Sequence, residues 1–280
     1  MPVFRIRRVA LCAVAAAAVS GCVQSTTIIK MKPDGSGTIE QTMTMNADAI
    51  AQLSALAAMS DDKDKKAGKS GLEDLFSDKD AREAAAKMGQ GVTFVSSQKI
   101  DTPERKGLKA IYVFTDIRKI SLDEMKSPGN VPETGGVGPS AKEPPMTFKF
   151  ESLPGGRGLL TILQPGVDKA IGTSPQVKPD ASIDPKMAQQ GLEMMKTFMK
   201  GLKIDMAVQV PRVIKTNSQY VDGGTVTLLS LDFDKVLADP AMAERLNKAT
   251  TLAETKALLK DFKGVKVNLE PQVTIEFAGR

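Results

Sequence analysis

Eleven uncharged residues, Val9 to Val19, stand between three arginines and a cysteine, and they decide where folding of this chain can begin. Arg5, Arg7 and Arg8 make a positive start, VALCAVAAAAV comes next, and Val19-Ser20-Gly21-Cys22 ends the run with small residues. A helix that spans a bilayer needs about 20 apolar residues, so this run is too short to remain as a span. Polar Gln24, Ser25, Thr26 and Thr27 come directly after it and prevent its extension. A positive head, a short apolar core and a small-residue end describe a secretory signal peptide. Residues 1–21 are therefore expected to be removed, leaving 22–280 to fold as an exported chain.

Val-Ser-Gly-Cys also resembles the lipobox of bacterial lipoproteins. The resemblance implies that the Cys22 thiol takes a diacylglyceryl group, that cleavage falls just before it, and that the new N-terminus is acylated. The alternative is an ordinary signal peptide with an incidental cysteine. Cys12 lies inside the apolar core and leaves with it, so one lipid-capped cysteine remains and no odd thiol needs explaining. Three acyl chains, at about 0.8 kcal/mol per buried CH₂, hold a protein to a membrane far better than one. Val23 rather than Asp comes after the cysteine. By the same resemblance, this implies the periplasmic face of the outer membrane if the host has two membranes.

Composition narrows the chemistry. Loss of three arginines and no acids lowers the formal charge from +5 to +2 for the mature chain. The remaining charges are interspersed, with no basic stripe or RNA-binding aromatic motif, so nucleic acid is not an expected partner. Histidine is absent, which removes Ser-His-Asp and Cys-His catalysis and histidine-ligated zinc. An acylated Cys22 removes a thiolate nucleophile. No cofactor or metal is implied, and the chain is expected not to be an enzyme.

Along the mature chain, residues 28–32 and 38–45 bracket a Pro-Asp-Gly turn, and the second alternates apolar and polar as a half-buried strand does. Asn46 is placed to cap a helix over 47–59, and Ser77 one that ends near Gly89 or Gly91. Residues 92–98 and 108–117 form a predicted strand pair, and 146–152 and 158–165 a hairpin about Gly155-Gly156. Ser121-Leu122-Asp123-Glu124 has the spacing of a helix-capping box. Asp184-Pro185 and Asp239-Pro240 each mark a helix start, the first running to Gly201, and Thr251 with Glu254 forms another capping box. Strands are expected at 203–210, 225–233 and 273–277. A charged segment at 61–71 and a Pro/Gly-rich segment at 127–145 are expected to be flexible loops. The pattern predicts one or two domains of α+β class, a mainly antiparallel sheet of hairpins with several helices packed on it.

Few constellations invite chemistry. Ser96-Ser97-Gln98-Lys99 matches S-x-x-K, but in a predicted strand residues three apart point to opposite faces, and no K-T-G or S-D-N partner accompanies it. Asp232 and Asp234 would share a strand face and could serve metal or acid–base work. The plainer reading is a strand leaving the core, with Asp234 capping the next segment. Asp61, Asp62 and Asp64 lack the glycine and glutamate of a calcium loop. In the helix after Asp184, Leu192, Met194, Met195, Phe198 and Met199 lie on a wide apolar face. Methionine adapts to varied partners, so this face is a candidate lining for an apolar ligand as well as a candidate core face.

Two stretches, IIKMKPDGSGTIEQTMTMN (28–46) and PRVIKTNSQYVDGGTVTL (211–228), resemble the LppM-type lipoprotein domain family. Pro211, Val213, Asn217, Gly223, Gly224, Thr225, Val226 and Thr227 fit its pattern. Arg212 replaces the usual glycine, and the family's tryptophan and C-terminal membrane helix are missing. The resemblance implies an exported, envelope-anchored α+β domain that binds lipid or glycolipid, and it transfers no catalytic residue. The expected function is thus a non-catalytic lipoprotein, held to a membrane through acyl chains on Cys22, that binds lipid or another apolar envelope component. The alternative is a protein-interaction subunit of an envelope complex.

Overall fold

The computed structural model describes residues 23–47, 49–51, 76–122, 145–164 and 200–279. Thirteen strands are found among them. β1 (Val23–Met31), β2 (Gly37–Asn46), β3 (Val92–Asp101), β4 (Arg105–Phe114) and β5 (Ser121–Leu122) come first. β6 (Met146–Leu153), β7 (Arg157–Leu163), β8 (Lys203–Gln209) and β9 (Arg212–Thr216) come next. β10 (Val221–Asp222), β11 (Thr225–Asp232), β12 (Val265–Val267) and β13 (Gln272–Ala278) complete the set. The helices are α1 (Asp78–Lys87), α2 (Phe233–Leu237), α3 (Pro240–Lys248) and α4 (Leu252–Asp261). None is long and apolar enough to cross a membrane.

The larger sheet runs β10-β11-β8-β1-β2-β4-β3, with β12 also paired to β11. The smaller runs β5-β6-β7-β13-β9. Alternation explains how they meet. In β1 Thr27, Ile29 and Met31 are buried while their neighbours are not, and β4 buries Leu108, Ala110, Tyr112 and Phe114 in the same way. Phe148, Leu160, Ile162, Val273, Ile275 and Phe277 of the smaller sheet join them in one cluster. Burial pushes the Tyr112 hydroxyl up to about 12. α1 adds Ala81 and Ala85 to this core, capped by Ser77, whose hydroxyl accepts from the Asp80 N–H. At the first turn Gly35 takes a φ of +84°, which favours glycine, and the Asp34 carboxylate accepts from the Ser36 N–H at 2.9 Å.

This architecture corrects the expected α+β class. Among the described residues the fold is mostly β, 52% strand against 23% helix, in two sheets with a few short helices. Of α1 to α4, α1 alone reaches the main core. α3 and α4 instead pack beside β12 around Met242, Leu259, Phe262, Val265 and Leu269. Ser121 and Leu122 pair with Thr147 and Met146 as β5, and the rest of the short helix expected after Ser121 lies outside the described residues. The other hairpins and the starts of α1, α3 and α4 lie where their sequence signals put them. The helix expected after Asn46 is helical at 49–51, and the rest of that expectation lies outside the described residues.

Ile29 is fully buried in the strand that the larger sheet is built around. Ile29→Ala is expected to cost about 2–5 kcal/mol in denaturant unfolding. Val95→Thr, at a side chain 53% exposed, is expected to stay within about 0.5 kcal/mol.

Candidate functional site

β1 starts at Val23, one peptide bond after Cys22. It pairs antiparallel with β2 and parallel with β8, so its first residues sit inside the sheet. The register fixes which residues share that end. Val23 lies opposite Met45, Gln24 opposite Lys203, Met45 opposite Lys106, and Lys203 opposite Asp232. A satellite cluster of Met45 and Ala49, with Val23, Ile50 and Phe76 packed on it, secures the same end.

A cleft of about 420 Å³ opens here, beside β8 and β11. Leu231, Phe262 and Val265 also line it, and they are packed into the cluster around α3 and α4. Its rim carries Lys203, Lys235, Lys260, Lys263 and Lys266, against Asp205 and Asp232. The pairing explains the grouping. Asp205 lies opposite Ser230 and Lys266 lies opposite Ser230 from the other side, while Lys203 and Asp232 form the next row. Because neighbours across a sheet point the same way, these groups share one face.

Asp232 is the fixed centre of the rim. Its Oδ2 lies 3.1 Å from Lys203 Nζ and 3.5 Å from Lys235 Nζ. Burial pushes its carboxyl upward, but the two ammonium groups outweigh that and hold it below the ordinary value of 3.8. Gly264 closes the turn before β12, and its carbonyl accepts from the Asp232 N–H at 2.7 Å. Its φ is +94°, and a Cβ there would sit 2.4 Å from Lys235 Cβ. Only glycine lets the β12 turn approach α2 so closely. Lys260, Lys263 and Lys266 make no ion pair with a carboxylate among the described residues, so Asp232 neutralises one side of the rim only.

The residues singled out from sequence fare differently. Cys22 and the proposed apolar face, Leu192, Met194, Met195, Phe198 and Met199, lie outside the described residues. So do the acidic group at 61–64, the charged segment at 61–71 and all but the last residue of the segment at 127–145. Ser96 and Lys99 lie in β3 as expected, and Ser97 Oγ donates to Asp78 rather than meeting a lysine. Asp232 and Asp234 do not share a strand face, because β11 ends at Asp232 and Asp234 is already in α2. Asp234 Oδ1 accepts from the Gly201 N–H at 2.6 Å. Among the described residues no group of three or more Asp, Glu or Cys side chains is arranged to hold a metal ion. Sequence reasoning missed the cleft lysines. Their signal is the spacing Lys260-x-x-Lys263-x-x-Lys266 around Gly264 at a helix end.

No family model matches the chain, and no curated protein matches it. Among solved structures, the NMR structure of the folded domain of the Mycobacterium tuberculosis LppM protein is similar at a TM-score of 0.31 and 10% identity. The alignment covers 92% of this chain and 91% of that one. This is a weak resemblance at the level of the fold, and it carries no conclusion about function.

Asp232→Asn leaves Lys203 and Lys235 facing each other without their counter-charge. It is expected to cost on the order of 1 kcal/mol at pH 7, a figure kept low because both lysines are partly solvated. Because the folded-state value is depressed, the Asp232 contribution is full above about pH 4 and disappears as pH falls through the folded-state value. The difference between wild type and variant in chemical denaturation should therefore shrink below pH 4. A gap that stayed constant with pH would show that the ion pairs do not stabilise the fold.

Proposed function

We propose that this chain is an exported bacterial lipoprotein of the cell envelope, anchored by acyl chains on Cys22, and that its β domain is a non-catalytic module that binds lipid. One observation carries the reading: a lipobox-like Val-Ser-Gly-Cys closes a positive-headed apolar run that is too short to span a bilayer. Acylation at Cys22 would join the lipid to the first residue before β1, with no linker between anchor and domain. Multiple acyl chains would then hold the domain stably against the bilayer.

Expressed in a diderm bacterium with labelled palmitate, the full chain is expected to incorporate label, fractionate with membranes and lose residues 1–21. Cys22→Ala should abolish labelling and leave the signal peptide uncleaved by the lipoprotein route. Processing ahead of an unmodified Cys22 in the wild type would replace the lipoprotein reading with an ordinary secretory one.

A further inference from the structure

The larger sheet brings the lysine-rimmed cleft to the same end as the anchor. Gln24, two residues after Cys22, lies opposite Lys203, and Lys203 lies opposite Asp232. Neighbouring strands are about 4.8 Å apart, so two steps across the sheet put the cleft wall roughly 10 Å from the start of β1. Acyl chains on Cys22 would hold that end at the membrane surface. The cleft would then face the headgroup layer, within about one Debye length of its charge at physiological salt.

The chemistry of the cleft fits such a surface. Five lysines and two aspartates line it, giving a formal excess of three positive charges. Lys203 and Lys235 are drawn to Asp232, whereas the exposed Lys260, Lys263 and Lys266 keep their ammonium groups available. An ammonium is a compact donor that suits a phosphate oxygen as a point charge. Leu231 and Val265 alternate with Ser230 and Lys266 along β11 and β12, so their side chains point to the other face and pack with α3 and α4. Asp234 and Asp261, the nearby acids in the chain, do not line the cleft, and Asp234 is occupied by the Gly201 N–H.

We infer that this cleft is a headgroup site, in which Lys260, Lys263 and Lys266 hold the phosphates of anionic phospholipids in the membrane that carries the anchor. The inference rests on Cys22 as the anchor for its orientation, but the site itself acts without acylation. Contact with an anionic surface would fix the pose of a domain that the acyl chains alone leave free to swivel. The domain would then ride with the Asp232 end of β11, β12 and the Gly264 turn against the bilayer, and with β10 and the first β1–β2 turn away from it.

The test uses the unacylated mature chain, residues 22–280 with Cys22→Ser, which contains every described element. Its failure is therefore independent of whether Cys22 is lipidated in cells. Co-sedimentation is measured with vesicles of phosphatidylcholine alone and with an equimolar mixture of phosphatidylcholine and phosphatidylglycerol. Binding to the mixed vesicles only is expected. The triple variant Lys260→Gln, Lys263→Gln, Lys266→Gln should weaken it on the order of 100-fold. A charge-matched triple at the other end of the sheets, Lys32→Gln, Lys87→Gln, Lys119→Gln, should change it by less than about threefold, being well beyond a Debye length from the surface. Lys263→Glu alone, on an exposed turn, gives a second disruption with little demand on folding. Equal binding to both vesicle types, or equal weakening by the two triples, would overturn the inference. Displacement by millimolar inorganic phosphate would identify a free-phosphate site and overturn it as well.

Discussion

The rest of the structure depends on the double pairing of β1. One edge carries β2 in antiparallel register, and the other carries β8 in parallel register from a segment remote in sequence. Through β2 the strand reaches β4 and β3, and through β8 it reaches β11 and the cleft. Its inner face contributes Ile29 and Met31 to the core that ties the two sheets together. Removal of β1 would split the larger sheet into two halves. A strand that begins one residue after Cys22 thus serves as the spine of the fold. Any force on an acylated Cys22 would be transmitted directly into the sheet, without a tether to absorb it.

That constraint gives the domain a defined end. The ends of strands from Asp232 through Lys203, Gln24 and Thr44 to Gly107 form one line. Charges near this line are not dispersed as the overall composition suggests. β12 and the turn at Gly264 fold three lysines back onto β11, and the ion pairs of Asp232 leave those three unopposed. Net charge, at +2 for the chain without its first 21 residues, conceals this. Local potential reflects where pairing places the charges rather than how many there are.

Much of the fold was legible where local chemistry decides it. Asp34 and Gly35 mark the first hairpin turn, and the alternation of Thr38 to Met45 marks its second strand. At Thr251 the hydroxyl accepts from the Glu254 N–H while the Glu254 carboxylate accepts from the Thr251 N–H, as the spacing of the two residues implies. What was not legible depends on distant partners. β9 and β10 are short and mostly exposed, so no period-2 burial announces them. β12 is three residues long and exists because it pairs with β11. The same holds for the parallel contact between β1 and β8, which no local pattern encodes. Counting these strands moves the class from α+β to mostly β. The cleft was hidden for the same reason, since its rim combines β8, α2, the end of α4 and β12.

The most direct measurement is a lysine-reactivity footprint of the protein, expressed as the full chain and purified from membranes, reconstituted into mixed phosphatidylcholine–phosphatidylglycerol vesicles. An amine-reactive reagent and peptide mass spectrometry report each lysine separately. With the cleft against the bilayer, Lys260, Lys263 and Lys266 lose reactivity relative to detergent solution, while Lys32, Lys87 and Lys119 keep theirs. Unchanged reactivity at the three cleft lysines, or protection at the opposite end instead, would contradict the account.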